Sequence, residues 1–360
     1  MQRVNVADLK PKEEIESTFL VKFLNLVEAK DGKKFLNIIL ADSTGDLEAR
    51  IWKGAEEIAS SVDKGGFVKV KGKANLYMGK KQFVISSCEP ISETEVNKDD
   101  FVVKAGRDPE QMFSELVDIV KNLEDVYIRD LLLNVLGDKE IERRLKIWQA
   151  GKSIHHAYES GLLEHILSCS NLSVQLSKHY NVNTSYVVAG AILHDLCKIY
   201  ELTDGFNVEY TEEGKLVGHL VKGLEIVDKY SHKIKDFPYP TKLHLKHILL
   251  SHHGEYEYGS PKIPQTSEAM LLHLIDHMDS KMHSFETIKR TDQNTGRWSG
   301  YVRHLDRIIY KDELPSHTEY VQSQEKPAKA QNHDKKRSKY QEKEVKQNLG
   351  NLLKDFKVDK

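Results

Sequence analysis

Cysteine is scarce in this 360-residue chain: Cys88, Cys169 and Cys197 stand far apart, and none belongs to a C-x-x-C pair. That excludes a disulfide framework and a thiolate zinc site, and it fits a reducing, cytoplasmic setting. Long apolar runs are missing too. The run Val187 to Leu193 stops at His194, far short of the roughly 18 residues a membrane span needs. The opening residues (MQRVNVADLKPKEEIE) contain no apolar stretch, so no signal peptide is expected. Charge of one sign is lacking as well. Lys plus Arg number 53 against 55 Asp plus Glu, a net charge of -2, so nucleic-acid binding would have to rest on local patches.

What the chain has in abundance is histidine. Of 17 histidines, 14 fall between His155 and His283. In a protein with few thiols, such clustering points to metal or acid–base chemistry.

The pattern divides the chain into four stretches. Residues 1–92 read as short strands near Phe19–Leu24, Lys34–Ala41, Leu47–Ile51, Phe67–Ala74 and Gln82–Ile85, with a short helix at Ala55–Ser61. Leu47, Ala49 and Ile51 alternate with Glu48, Arg50 and Trp52, the period of a half-buried strand. Five strands with one helix between the third and fourth is the order of an all-β OB-fold barrel. Residues 93–150 read as a linker and lead-in helices, the first opened by Asp108-Pro109-Glu110. Residues 151–315 predict an all-α bundle, with helices at Gly161–His179, Ser185–Ile199, Leu216–Tyr230, Thr241–His252 and Ser267–Phe285, and Lys139–Trp148 just before it. From Ser316 to Lys360 the tail carries 11 basic and 7 acidic residues. It reads as disordered, with a short terminal helix at Val345–Phe356.

The helical stretch places polar groups where apolar neighbours want burial. His165 lies in Gly161–Leu167, and His194-Asp195 ends the run from Val187. His219 lies in Gly218–Val221, His252-His253 ends Ile248–Ser251, and Asp276 closes Leu271–Asp276. Burying such groups costs several kcal/mol unless each is bound, and divalent cations would satisfy them together. Asp279, three residues on from Asp276, is either a rival ligand or an outer partner. Lys198 is either a neutraliser of phosphate charge or a solvated helix-end lysine. His155 and His156 either touch phosphate or pack against a helix start. His273 and His283 read as packing groups.

The order His, His-Asp, His, His-His, Asp resembles that of the HD-domain metal-dependent phosphohydrolases. The resemblance implies that His165, His194, Asp195 and Asp276 hold one metal. Asp195 would bridge to a second, held by His219 and His252 with His253 beside them. Cys197 departs from the family pattern, which often has Gly there. The ligand chemistry suits Mn²⁺, Fe²⁺, Co²⁺ or Zn²⁺, with no thiolate pointing specifically to zinc; the family resemblance implies Mn²⁺, with Co²⁺ or Fe²⁺ as alternatives. Two cations about 4 Å apart can activate water and stabilise the leaving oxygen of a phosphate ester.

In the barrel, Arg50, Trp52, Lys69 and Lys71 fall on the polar side of the predicted strands, while Phe35, Tyr77, Lys80 and Lys81 occupy or flank loops. These form the candidate nucleic-acid surface. Phe35 and Phe83 are otherwise barrel core, and Trp52 is otherwise an interdomain contact. The stretches His155–His165, Ser251–Pro261 and Asp276–Met282, together with the barrel, resemble the YhaM family of bacterial exoribonucleases. That resemblance implies a cytoplasmic, metal-dependent 3′–5′ exonuclease of single-stranded RNA, and often of single-stranded DNA; Asp195, Lys198 and His156 are the candidate catalytic residues. A homo-oligomer is compatible with it. Two rivals are a small-nucleotide hydrolase and a non-catalytic nucleic-acid-binding factor.

Overall fold

The structure, a computed structural model, describes residues 3–29, 32–77, 80–152, 156–292, 294 and 296–313, without the side chains of 76, 77, 80 and 81. The tail 316–360, His155, and the side chains of Tyr77, Lys80 and Lys81 therefore lie outside the described residues.

Strands β1 (Glu14–Glu28), β2 (Lys34–Asp42) and β3 (Gly45–Ile51) precede helix α1 (Ala55–Ser61), and β4 (Phe67–Tyr77) and β5 (Lys80–Ile91) follow it. They close in the order β1-β2-β3-β5-β4, as the alternating pattern predicts. Only β3 and β5 pair in parallel. Alternation sends Phe19, Leu36, Ile38, Leu47, Ala49, Ile51, Val68, Val70 and Phe83 into the barrel, where all are buried. Phe83 is thus core. β1 serves two neighbours: its first half pairs with β4 and its second with β2, with a register shift between Val21 and Phe23 that lets the strand bend. A second shift falls between Lys71 and Gly72. There the backbone of β5 approaches so closely that a Cβ on Gly72 would lie 2.4 Å from the Val84 carbonyl.

The stretch predicted as a linker is not free of structure. Its turns at Glu93–Glu95 and Lys98–Asp100 are joined to the barrel by a Ser43 N–H donating to the Asp100 carbonyl at 2.9 Å. The helices are α2 (Pro109–Lys121), α3 (Val126–Leu136), α4 (Lys139–Leu145), α5 (Gly161–Tyr180) and α6 (Thr184–Leu193). They continue as α7 (Lys198–Glu201), α8 (Glu212–Leu216), α9 (Gly218–Ser231), α10 (Tyr239–Ser251) and α11 (Ser267–Thr291). Asp108 caps α2 by accepting from Glu110 N–H at 3.0 Å, as its sequence position predicts.

Several helix bounds differ from expectation, among them α11, which runs to Thr291 rather than ending at Phe285. The helix predicted over 185–199 breaks after Leu193. Successive helical positions point roughly 100° apart, so the break is what allows His194 and Asp195 to face one centre. The helix predicted over 216–230 is divided before Gly218, whose φ of +76° is the left-handed conformation glycine adopts without strain. α4 stops three residues before Trp148, whose indole N–H instead donates to the Leu202 carbonyl at 3.2 Å.

The barrel meets the helices through Phe67, whose ring lies edge-on to Phe101 at 4.9 Å and to Phe206 at 5.0 Å. A Lys64–Glu209 ion pair at 2.8 Å lies in the same contact. Replacing Gly72 by Ala forces β4 away from β5, and overpacking of this kind costs about 1–3 kcal/mol. Thermal denaturation of Gly72→Ala should show a midpoint several degrees lower. An unchanged midpoint would mean that the barrel tolerates the displacement.

Candidate metal centre and nucleic-acid face

α5, the turn after α6, the start of α9, the end of α10 and the middle of α11 converge on one buried point. α5 brings His165, fully buried, and α6 ends at His194. His165 donates from Nδ1 to Asp279 at 2.8 Å, and His194 donates from Nδ1 to the Ala191 carbonyl at 3.0 Å. Both rings therefore present Nε2 inward, and the two Nε2 atoms lie 3.2 Å apart. Two facing lone pairs in a buried site repel unless a proton or a cation lies between them. Asp276 Oδ1 is 3.4 Å from His165 Nε2 and 3.8 Å from His194 Nε2. These three residues form a compact group able to hold a metal ion.

A second group consists of His219, His252 and His253. Each commits Nδ1 to an acceptor: Glu201 at 2.9 Å, the Leu249 carbonyl at 2.8 Å and the Tyr258 carbonyl at 3.1 Å. That fixes the tautomer and leaves Nε2 as the ligand atom. His219 Nε2 is buried and has no hydrogen-bond partner among the described residues. An orphaned imidazole nitrogen of this kind is what a cation would satisfy.

Asp195 lies between the two groups. Its Oδ2 is 3.7 Å from His165 Nε2 and 3.6 Å from His194 Nε2, while its Oδ1 is 3.6 Å from His219 Nε2 and 3.9 Å from His252 Nε2. Lys198 donates to Oδ2 at 2.7 Å, so it is neither solvated nor distant from the centre. Burial alone would raise the Asp195 pKa, yet Lys198 and the surrounding histidines hold it well below the usual carboxylate range. Asp276 behaves alike, with burial opposed chiefly by His165 and His194. Burial pushes His252 well below and His194 below the ordinary imidazole value. Neutral imidazoles and ionised carboxylates are the protonation states that metal binding requires. His165 is the exception: against its burial, Cys169, Asp276 and Asp279 hold it charged. The centre thus attracts positive charge, whether a proton or a cation. The donor set fits divalent ions with N and O preference.

Between the two aspartates left open by the sequence, Asp276 faces the converging nitrogens. Asp279 instead accepts from His165 Nδ1 and from Ser168, and lies 3.3 Å from His156 Nε2. His156 is buried, donates from Nδ1 to the Tyr158 hydroxyl at 2.9 Å, and stacks on His283 with centroids 3.7 Å apart. Tyr158 in turn donates to Glu164. Apart from this approach of Asp279, His156 Nε2 has no hydrogen-bond partner among the described residues. His273, read as packing, donates to the His252 carbonyl at 2.8 Å. Sequence reasoning missed Glu201, Ser168, Glu164 and Tyr158. Their only signal was nearness to the histidine motifs, since partners of metal ligands carry no fixed spacing.

On the barrel, Phe35 and Trp52 stack with centroids 4.7 Å apart and 28° between planes. The Arg50 guanidinium lies over Phe35 at 5.4 Å, and Trp52 is 46% exposed. The pairing of Asn37 with Arg50 and of Leu36 with Ile51 sets these three on the outer face of β2 and β3. Lys69 and Lys71 are not with them. They lie on β4, ion-paired with Glu16 at 2.6 Å and Glu14 at 3.9 Å of β1. Lys69 and Lys71 therefore face the acids of β1 rather than the Phe35–Trp52 pair.

A helical bundle that gathers buried histidines and aspartates in this way defines a metal-dependent hydrolase of the HD-domain class, here joined to a barrel of nucleic-acid-binding type. Residues 162–281 match the HD domain family, and residues 20–91 match the OB-fold nucleic acid binding domain family. The 3′–5′ exoribonuclease YhaM of Halalkalibacterium halodurans is 32% identical over 302 residues, covering 83% of this chain and 93% of that protein. The protein of the same name from Oceanobacillus iheyensis is 33% identical over 275 residues, covering 75% and 85%. The chain belongs to the YhaM family of exoribonucleases.

Glu201 gives the site a separate check. Removing the charge that orients a metal-bound histidine typically lowers metal affinity about 10–100-fold. Glu201→Gln should therefore weaken one metal equivalent in that range, measured by competition with a chelating indicator, and leave the other unchanged. Equal weakening of both, or of neither, would contradict the division into two groups.

Proposed function

We propose that the chain is a metal-dependent 3′–5′ exoribonuclease that degrades single-stranded RNA, and single-stranded DNA as a second substrate, in the cytoplasm. The observation that carries the reading is the place of Asp195, whose two oxygens face different histidine groups. We assign His165, His194, Asp195 and Asp276 to one cation and Asp195, His219, His252 and His253 to another, with Mn²⁺ the native ion and Co²⁺ or Fe²⁺ able to replace it. When bound, the cations lower the pKa of a water and neutralise charge at the scissile phosphate.

The chain's own residues do the rest. Hydrolysis adds a water oxygen to phosphorus, breaks the P–O3′ bond and returns a proton to the departing ribose oxygen. Lys198 holds Asp195 ionised and adds positive charge beside the phosphate. We assign His156 the role of proton donor to the leaving oxygen, which takes its doubly protonated form: Nδ1 is fixed by Tyr158 and Glu164, and Nε2 lies beside Asp279. The Phe35–Trp52 pair, with Arg50, receives the bases of the strand farther from the cleaved end.

End-labelled RNA incubated with the Mn²⁺-loaded protein should yield a ladder shortening from the 3′ end, abolished by chelator. Asp195→Asn should remove this activity and lower bound metal while keeping the helical circular dichroism. Near-normal turnover in that variant, or cleavage confined to mononucleotides, would overturn the reading. Trp52→Ala should weaken binding of long RNA by roughly 1–3 kcal/mol and leave hydrolysis of a small activated phosphodiester unchanged. Equal damage to both substrates would instead mark Trp52 as a packing residue.

A further inference from the structure

Residues 297–311 follow α11 and lie beyond both matched domains. They form a small irregular hairpin with bridges between Trp298 and Tyr310 and between Val302 and Arg307. Its frame is well tied. Ser299 N–H donates to the Ile309 carbonyl at 2.8 Å, and Ile309 N–H donates to Ser299 Oγ at 2.8 Å. Leu305 and Ile309 are buried. Lys311 forms a largely buried ion pair with Asp292 at 2.8 Å, and Asp292 also accepts from Gly300 N–H at 3.1 Å. A frame held this way has little conformational freedom left to lose on binding.

What it turns outward is unusual for a solvated loop. Trp298 is 53% exposed and Tyr301 is 62% exposed, with the Tyr310 ring set edge-on to Trp298 at 5.1 Å. Arg297, Arg303 and Arg307 are exposed on the same stretch. Against Asp306 they leave a net charge of three minus one, or +2, in a chain whose whole charge is -2. Exposed rings interleaved with guanidinium groups suit bases and phosphates together.

The hairpin also lies near the catalytic bundle. His304 is close enough to Lys281 that, after burial, this ammonium lowers the His304 pKa. Lys281 follows Asp276 by five residues, about 7.5 Å of helix rise.

We propose that Trp298, Tyr301, Arg303 and Arg307 form a second contact surface for single-stranded RNA, distinct from the Phe35–Trp52 face of the barrel. This rests on the exoribonuclease reading and adds to it a strand path along the flank of α11. RNA long enough to reach the hairpin gains affinity from it, and a trinucleotide does not.

The test uses the full chain and oligouridylates carrying 5-iodouracil. Photocrosslinks on the long strand should map to Trp298 or Tyr301. Trp298→Ala with Tyr301→Ala should weaken binding of the long strand on the order of tenfold or more, in line with alanine replacement of stacking rings. Trp298→Phe should keep most of the affinity. Arg303→Gln with Arg307→Gln should flatten the slope of log K against log salt by about 0.7 for each lost phosphate contact. All of these variants should cleave the trinucleotide at the wild-type rate. Wild-type affinity and salt slope in the alanine and glutamine variants, with no crosslink on the hairpin, would overturn the proposal while leaving the exoribonuclease reading intact. Failure of the unaltered protein to degrade any RNA would overturn that reading, and the proposal with it.

Discussion

The helical part of this molecule is organised around one buried carboxylate. Asp195 lies between imidazoles on both of its oxygens, with the Lys198 ammonium 2.7 Å from one of them. An ionised carboxylate removed from water costs several kcal/mol unless it is compensated, and the one lysine paired with Asp195 leaves Asp276 and Asp279 to be compensated by the histidines beside them. The surrounding helices accordingly bring histidines, each anchored through Nδ1 and presenting Nε2. α6 packs close because Gly190 has no side chain: a Cβ there would lie 2.7 Å from both Ile248 and Leu272. That approach carries His194 toward α10 and α11, whose ends and middle bear His252 and Asp276.

The same constraint explains which features were legible in the sequence. Barrel strands announced themselves by period-2 alternation, and Leu47, Ala49 and Ile51 all point inward as the pattern requires. Polar residues embedded in apolar helices stood out because burial makes them costly, so His165, His194, Asp195, His219, His252, His253 and Asp276 could be picked out before any fold was known. The partners that orient them could not. Glu201 holds His219 from across the loop preceding α8, and Ser168 and His165 share Asp279 across two helices. Such contacts depend on how helices cross, which periodicity does not encode. Lys69 and Lys71 show a related limit: alternation shows that a side chain faces outward, but not which strand lies beside it. Here β1 brings Glu16 and Glu14 against them.

Barrel and bundle divide the work by chemistry. The barrel offers stacked rings and an arginine, groups that bind a strand with little regard to sequence. The bundle offers buried acids and imidazoles, whose chemistry acts on a single phosphodiester. Between them, Phe67, Phe101 and Phe206 form an apolar contact flanked by the Lys64–Glu209 pair. The loop that bears Phe206 and Glu209 connects α7 to α8. The segment that touches the barrel is therefore continuous with Glu201, the residue that orients His219.

The central claim is that Asp195 bridges two cations. Anomalous diffraction from crystals grown with Mn²⁺, collected on both sides of the manganese absorption edge, tests it most directly. The account predicts two manganese peaks, one on each side of the Asp195 carboxylate, with His165, His194 and Asp276 around one and His219, His252 and His253 around the other. A single peak, or two peaks that Asp195 does not join, would contradict it.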